Sequence, residues 1–381
     1  MFWKIALILV IFVTQASAQN ITTRLKEPPP PYFKILTPFK MLPVEDVYSL
    51  HLLENYFGAG DNGVLFFRPK IKLTGIYRLK EGRLRYLKRM VPRAFIAKVT
   101  TLTYKDETRL AIGYEFHASE ETKWKERQMV LFTIYDRELN KSVDIFERTS
   151  STPKVNYLKE LDGKLWINFF HEDGFSQGGY LTKEPDGWKF TKTFSGWKQD
   201  SLDINKDVVI VGSRYSDDQE RAKELRMYKD RSWHSLPSQR GVNFVSFFQL
   251  DQDPELEIAI SDGLPNSADK RGRPEIAYLD MNAATGEYKR YKIDGISRSQ
   301  NEFKEITPFD YAGKKRLLVR GDLYIDLYTY NYKWDRERLY RRKDRNSAAN
   351  LQALPLVTME GKLAFVILDD TEVMAYDYLG K

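Results

Sequence analysis

The sequence predicts an all-β fold, a closed ring of seven four-stranded antiparallel sheets, which is a seven-bladed β-propeller. A strand–turn–strand unit recurs seven times at a spacing of roughly 50 residues, within the range of propeller blades. The predicted strands are short and rich in aromatic and β-branched side chains, which favour sheets. One such sheet is too small to bury both of its faces, so each unit needs neighbours of the same kind.

The fullest copy of the unit covers residues 244–293. Its four predicted strands begin at Phe244, Ile258, Ile276 and Tyr288, with acidic or glycine-containing turns between them. The other six strand–turn–strand openings are 48–67, 99–113, 155–170, 201–212, 304–321 and 356–368. A third strand containing a Tyr follows each opening. Four polar segments after second strands are predicted to be loops on one face of the disc, namely Glu115–Arg127, His171–Gly178, Ser213–Lys223 and Ser261–Pro274.

The seventh copy is too short to contain a fourth strand, because only three residues follow Tyr378. The segment Tyr32–Leu36 is a strand-like stretch near the other end of the sequence that no copy uses. We therefore expect it to pair with Val373–Tyr378 and close the ring. Closure protects strand edges that would otherwise invite aggregation.

Three regions are predicted along the chain. Residues 1–18 have the features of a secretory signal peptide, with Lys4, the apolar run Ile5–Val13 and the cleavage site Ala16-Ser17-Ala18. An uncleaved N-terminal anchor is the alternative, but the apolar run is short for a membrane span. Residues 19–31 form a linker that four consecutive prolines stiffen. Residues 32–381 form the propeller.

The composition favours an exported protein and leaves two interpretations of its basic stretches. There is no Cys, so no disulfide stabilises the fold, which favours a bacterial periplasmic or secreted protein over a eukaryotic one. The formal net charge is +7, with both signs interspersed. The basic stretches are interpreted either as solvated strand edges or as sites for an envelope polysaccharide, lipid head groups or an acidic protein. A nucleic-acid partner is not expected, since no nucleic-acid-binding motif occurs.

Two acidic turns carry a family resemblance. Asp203-Ile204-Asn205-Lys206-Asp207 and Asp251-Gln252-Asp253-Pro254-Glu255 each precede an apolar strand, and this pattern resembles the repeat of FG-GAP and VCBS-type propellers. The resemblance implies an extracytoplasmic interaction scaffold. It also implies Ca²⁺ at these turns, with Asp203, Asn205, Asp207, Asp251, Asp253 and Glu255 as ligands. The alternative is that Asp and Asn stabilise the turns through hydrogen bonds to the backbone.

A ring of polar residues is predicted at the mouth of the central channel, where the second strands end. Its members are Arg68, Glu115, His171, Arg214, Asp262, Arg320 and Asp369, with His117 in a neighbouring loop. Such a ring can bind a sugar, a carboxylate or a peptide terminus. The alternative is that these residues form ion pairs with one another and bind no ligand.

The leading functional prediction is an exported, non-enzymatic propeller that binds a protein or a glycan of the cell envelope through one face. No nucleophile elbow, phosphate loop, zinc motif or sialidase repeat is present in the sequence. One alternative is a lyase or hydrolase on an acidic polysaccharide, with His117 or His171 as base and Arg214, Arg271 or Arg320 neutralising a carboxylate. Another is a structural subunit of a cell-envelope assembly.

Overall fold

The computed structural model describes residues 36–38, 46–80, 83–104, 107–117, 128–140, 142–172, 175–197, 199, 201–213, 225–238, 241–251, 253–262, 275–295, 303–342, 350–357 and 361–378. These residues form 28 β-strands and one short 3-10 turn at Pro69–Ile71. The predicted signal peptide, the proline-rich linker, Arg214 and Arg271 lie outside the described residues.

The strands form seven four-stranded antiparallel sheets, which we number as blades 1 to 7. Strand β1 is Leu36–Pro38 and belongs to blade 7. Blade 1 contains β2 (Ser49–Gly58), β3 (Asp61–Arg68), β4 (Leu73–Lys80) and β5 (Arg83–Met90). Blade 2 contains β6 (Phe95–Tyr104), β7 (Glu107–Phe116), β8 (Met129–Tyr135) and β9 (Ser142–Thr149). Blade 3 contains β10 (Val155–Leu161), β11 (Lys164–Glu172), β12 (Phe175–Glu184) and β13 (Gly187–Trp197).

The remaining blades repeat this order. Blade 4 contains β14 (Ser201–Asn205), β15 (Val208–Gly212), β16 (Leu225–Lys229) and β17 (Ser232–Ser235). Blade 5 contains β18 (Val242–Phe248), β19 (Glu257–Asp262), β20 (Glu275–Met281) and β21 (Tyr288–Gly295). Blade 6 contains β22 (Phe303–Tyr311), β23 (Lys314–Gly321), β24 (Tyr324–Tyr330) and β25 (Trp334–Arg341). Blade 7 contains β26 (Leu351–Val357), β27 (Leu363–Asp369) and β28 (Glu372–Tyr378). The predicted fold class is therefore confirmed.

The N-terminal strand closes the ring, as the sequence predicts. Strand β1 pairs antiparallel with β28, with Leu36 opposite Tyr378 and Pro38 opposite Tyr376. The described strand begins at the last residue of the predicted segment and extends two residues beyond it. Blade 7 thus joins the two ends of the described chain in one sheet, and the outer edge of β28 is covered.

The hydrophobic core lies between the blades. Seven clusters of buried side chains occur among the described residues, and each cluster combines residues of two neighbouring blades. Leu65 of blade 1 packs with Ile112 of blade 2, and Phe66 of blade 1 packs with Val366 of blade 7. Each blade buries both faces only because it has a neighbour on either side, which is the physical reason for a closed ring.

One predicted loop is wrong. The segment His171–Gly178 is not a loop, because β11 continues to Glu172 and β12 begins at Phe175. Gly178, the last residue of the predicted loop, lies inside strand β12. Gly178 packs under Phe194, and a Cβ atom there would lie 1.9 Å from the ring. The strand therefore needs glycine at this position for close packing rather than for a turn.

Candidate functional site

The innermost strand of each blade lines a central channel, and a cavity of about 1060 Å³ lies at one end of it. All seven blades contribute a first-strand residue to its wall. Alternation along a strand places residues two apart on the same face, so Ser49 and His51 both face the cavity. Four of the lining residues are cationic, namely Lys98, Lys154, Lys159 and Arg320. Three are acidic, namely Glu115, Asp203 and Glu305.

Four of the first strands carry a β-bulge near their start. The pairing shifts between Ile96 and Lys98 in β6, and equivalent shifts occur in β10, β18 and β22. A bulge gives one strand an extra residue that has no partner across the ladder and redirects side chains locally. Ala97, Asn156 and Asn243 occupy three of these positions, and all three line the cavity.

The three cavity carboxylates are already bound to protein donors. The Glu115 carboxylate accepts hydrogen bonds from the Val155 backbone N–H at 2.8 Å and pairs with His117 at 3.1 Å. Glu305 pairs with the Arg320 Nε at 3.0 Å. Asp203 accepts four hydrogen bonds, and its oxygens connect blade 4 to both of its neighbours.

A serine and a histidine also meet in the cavity. The Ser49 hydroxyl lies 2.9 Å from the His51 Nε2. Burial first, and then the nearby Lys98 ammonium, lowers the pKa of His51 to about 3. An imidazole with so low a pKa is a poor general base at neutral pH, because it does not hold the proton that it would remove from the serine. The pair is better suited to fixing the cavity wall than to nucleophilic catalysis.

The structure brings three members of the predicted ring to the cavity, namely Glu115, His117 and Arg320. His117 is 55% exposed and lies beside the ring of Phe95. Arg320 also donates to the Leu351 carbonyl oxygen at 2.9 Å, and this bond crosses from blade 6 to blade 7. The cavity therefore lies where the ring was predicted, with a different set of residues around it.

The other described members of the ring contact their neighbours within the sheets. Asp262 is fully buried and accepts a hydrogen bond from the Arg290 guanidinium at 2.8 Å. Asp369 accepts from the Tyr340 hydroxyl at 2.5 Å and from the Arg342 Nε at 2.6 Å. These two carboxylates thus join strands to one another and are not among the cavity-lining residues.

Arg68 and His171 are also away from the cavity wall. Arg68 acts electrostatically on Tyr77 of the same blade. The His171 Nε2 lies 3.4 Å from the Arg148 guanidinium on the outermost strand of blade 2. His117 and His171 therefore do not share the cavity, although they occupy adjacent blades.

Sequence reasoning missed the polar residues of the first strands. Lys98, Asn156, Ser246 and Gln352 all line the cavity, and none is among the predicted site residues. A signal for them exists in the sequence, because each is a polar residue within a first strand that also contains apolar side chains. The prediction placed the channel mouth at the second-strand ends alone, whereas the innermost strands supply most of the wall.

The acidic turn of blade 5 gathers three carboxylates. Among the described residues, one group of acidic side chains has its oxygens within 4.8 Å of one another, and it consists of Asp251, Asp253 and Glu257. Glu257 is part of this group although the sequence points to Glu255. The pKa of Glu257 is raised to about 7, chiefly by burial. The neighbouring aspartates also raise this pKa, whereas the hydrogen bond from the Leu250 backbone N–H lowers it.

Each of these three carboxylates also serves the turn itself. Asp251 accepts from the Asp253 N–H at 2.9 Å, and Asp253 accepts from the Glu255 N–H at 3.1 Å. Glu257 accepts from the Leu250 N–H at 2.6 Å. Ca²⁺ takes six to eight oxygen ligands, so a bound ion would need oxygens beyond these three side chains.

The acidic turn of blade 4 is arranged differently. Asp203 lies within strand β14 and is buried, whereas Asp207 lies in the turn itself and is 90% exposed. The turn has Lys206 at a φ of 52°, a left-handed conformation at the tip of a two-residue hairpin. The predicted ligands Asp203 and Asp207 are thus in opposite environments.

Comparison with solved structures supports the propeller fold. The chain is similar over 91% of its length to the WD40 domain of coronin from Toxoplasma gondii, with 14% identity, a TM-score of 0.54 and 86% of that chain covered. It is also similar over 91% of its length to Sqt1 from Saccharomyces cerevisiae, with 8% identity, a TM-score of 0.52 and 99% of that chain covered. No protein-family model and no curated sequence matches the chain. At these identities the similarity establishes the fold.

The described residues contain no helix with the length and apolar character needed to span a membrane.

Proposed function

We propose that this protein is a non-catalytic propeller that binds a protein partner at the end of the disc where the cavity lies. The observation that carries the proposal is the cavity itself, with its polar wall built from all seven blades. Its volume of about 1060 Å³ is at the upper end of the range for small-molecule pockets. It therefore suits an inserted segment of a larger partner.

The rim of the cavity supports a protein partner. Tyr48 lies at the rim and is 50% exposed, so part of its ring is open to a partner that enters the cavity. Its ring packs edge to face against Phe95 at 5.0 Å. Aromatic side chains are enriched in protein interfaces, and exposed rings next to a concave site are typical anchors.

Export of the protein is a further part of this proposal. Its support is the sequence of residues 1–18, in which Lys4, an apolar run and the Ala16-Ser17-Ala18 site follow the order of a signal peptide. We expect the mature protein to begin at Gln19. Intact-mass measurement of protein isolated from its source cells tests this, and a mass that includes residues 1–18 would contradict it.

Kinship with FG-GAP and VCBS-type propellers belongs to the proposal as well. It rests on the two acidic turns at Asp203–Asp207 and Asp251–Glu255. An anionic glycan of the cell envelope is the second partner class that this kinship and the net charge of +7 favour. Photocrosslinking distinguishes a glycan partner from a protein partner.

Site-specific photocrosslinking tests the proposed function. A photoreactive phenylalanine derivative replaces Tyr48 at the cavity rim, and in a matched control it replaces Tyr332, which is 96% exposed on a turn of blade 6. We expect an envelope extract to yield a protein adduct at position 48 and not at position 332. Equal labelling at both positions, or an adduct that glycosidases remove and proteases do not, would contradict binding of a protein at this end of the disc.

A further inference from the structure

We propose that the cavity binds a carboxylate of an acidic peptide segment and that the Lys98 ammonium is its principal contact. This inference rests on the proposed function and specifies the chemistry of the partner.

The cavity cations differ in how far protein acids satisfy them. Arg320 is held by Glu305 at 3.0 Å and by the Leu351 carbonyl oxygen at 2.9 Å. Lys159 lies 3.9 Å from the Asp203 carboxylate. Lys154 lies over the Phe170 ring at 4.9 Å. These three cations have defined partners on the cavity wall.

Lys98 has no such partner. Within the described part of the chain, no carboxylate lies within 4.0 Å of its ammonium group and no hydrogen bond to it is present. Its side chain is exposed to the channel. The nearest acids that act on it are Glu305 and Glu115, and both are bound to other groups. The ammonium is therefore available to an anion that enters the cavity.

The surroundings make this ammonium a stronger anion contact than a surface lysine. The walls of the channel surround the Lys98 ammonium although its side chain is open to the channel, and the resulting desolvation lowers the pKa of Lys98. The positive charges of Lys154 and Arg320 lower this pKa further. The charged form is thus incompletely stabilised by the protein. A carboxylate beside it restores that stabilisation, and the attraction exceeds that in bulk water because the local dielectric is lower.

The wall also offers two unused hydrogen-bond acceptors. The side-chain oxygens of Asn156 and Asn243 are buried and have no hydrogen-bond partner. The Asn156 amide nitrogen donates to Asn168 at 3.0 Å, which fixes its oxygen as the free atom. Both asparagines occupy bulge positions on the cavity wall. An acceptor that is buried without a partner is costly, and a small rotation of either side chain toward the channel lets a peptide N–H supply the missing donor.

These groups favour a peptide over an acidic polysaccharide. A sugar presents many hydroxyl donors, whereas the described part of the wall has two acceptors without a partner, because its three carboxylates are already bound to protein donors. A peptide presents one anion, a few N–H groups and apolar side chains. Lys98, the two asparagines and the aromatic rim at Tyr48 and Phe95 match these in kind.

The carboxylate has two sources in a peptide, an Asp or Glu side chain or the C-terminal carboxylate. Three synthetic heptapeptides distinguish them, each labelled at its N-terminus with a neutral dye and each with one variable residue between two phenylalanines. The first has Asp at that position and an amidated C-terminus. The second has Asn and a free C-terminus. The third has Asn and an amidated C-terminus, so it has no carboxylate.

Fluorescence anisotropy with the full-length protein measures binding of each peptide. We expect the first or second peptide to bind and the third to bind at least about tenfold more weakly, since a hydrogen bond to a charged group is lost. Lys98→Met weakens binding of the carboxylate peptides by about tenfold, and Lys98→Arg retains it. Lys229→Met is the matched control, because Lys229 is an exposed lysine at the outer hairpin of blade 4.

Circular dichroism melting of each variant establishes that it is folded. The inference is overturned if no peptide binds, if the third peptide binds as well as the other two, or if Lys98→Met and Lys229→Met have equal effects. It is also overturned if oligogalacturonate binds in a Lys98-dependent manner and the peptides do not. A Tyr48 crosslink that forms equally well in Lys98→Met protein leaves the proposed function standing and refutes only the role of Lys98.

Discussion

The first hairpins of blades 4 and 5 have similar acidic sequences and use them in opposite ways. In blade 4, Asp203 lies inside strand β14, and its buried carboxylate binds Tyr157 of blade 3 and Ser246 of blade 5. In blade 5, strand β18 ends at Phe248, so Asp251 and Asp253 lie in the connection before Glu257. The same residue types thus join blades in one case and stabilise a turn in the other.

The difference shows that position relative to the strand end decides the role of an acidic residue. The hairpin of blade 4 is tight, with Asn205 opposite Val208. The alternation of side chains along β14 directs Asp203 toward its contacts with blades 3 and 5. The connection of blade 5 is longer and bends its acidic residues back over their own backbone. A motif defined only by spacing does not distinguish these outcomes.

The largest effect is expected at Asp203. Asp203→Ala removes the acceptor for the Tyr157 and Ser246 hydroxyls and for the Ile204 and Phe247 N–H groups. We expect the free energy of unfolding to fall by about 3–5 kcal/mol, because several buried donors lose their partner at once. Urea denaturation measures this.

Asp207→Ala is the matched control within the same hairpin, because Asp207 is 90% exposed. We expect it to change the free energy of unfolding by less than about 0.5 kcal/mol. Equal effects of the two substitutions would show that the contacts between neighbouring blades do not depend on Asp203.

The second effect concerns pH and Glu257. The pKa of Glu257 is raised to about 7, so between its ordinary value of 4.5 and about 7 the folded protein holds a proton that the unfolded chain releases. Stability contributed by this proton is therefore present below pH 4.5 and is lost as the pH rises through 7. Glu257→Gln removes this dependence while keeping an acceptor for Leu250.

When the pH is raised from 5 to 8, we expect the free energy of unfolding of Glu257→Gln to increase by about 1–3 kcal/mol relative to that of the wild type. Urea denaturation at the two pH values measures the difference. Asp207→Asn is the control, with a pH dependence like that of the wild type. A wild-type and a Glu257→Gln protein that respond identically to pH would show that Glu257 titrates normally.

A smaller effect is expected at Tyr157. Tyr157→Phe removes one of the four donors to Asp203 and leaves the other three. We expect a loss of about 1 kcal/mol, the usual value for one hydrogen bond. In the double variant with Asp203→Ala, the Tyr157 substitution should cost less than in the wild type, which a double-mutant cycle in urea measures. Strictly additive effects would mean that the two side chains act independently.

The smallest effect is expected from calcium at the blade 5 turn. The turn supplies three carboxylates, each with one hydrogen bond to the turn backbone, against the six to eight oxygens that Ca²⁺ takes. We expect millimolar CaCl₂ and EGTA to give the same melting temperature. A concentration-dependent rise that Asp253→Asn abolishes would establish the metal interpretation instead.

Much of the fold could be predicted from the sequence because its signals are local. Turn residues such as Asp162-Gly163, with φ of 51° and 73°, separate the first two strands of each copy. The number of copies gives the number of blades. The closing strand followed from the missing fourth strand of blade 7. The error at His171–Gly178 arose because Gly178 is required by the ring of Phe194, a contact that local sequence does not show.

The candidate site was less accessible to such reasoning. The sequence by itself determined that seven small sheets, each unable to bury both faces, must close into a ring with polar residues at one end. Only the tertiary structure decided which polar residues face the cavity. Bulges at the starts of β10 and β18 place Asn156 and Asn243 on the wall, whereas hydrogen bonds within and between the sheets hold Asp262 and Asp369 away from it. The direction of a side chain depends on register and on neighbours distant in the chain, and spacing along the sequence encodes neither.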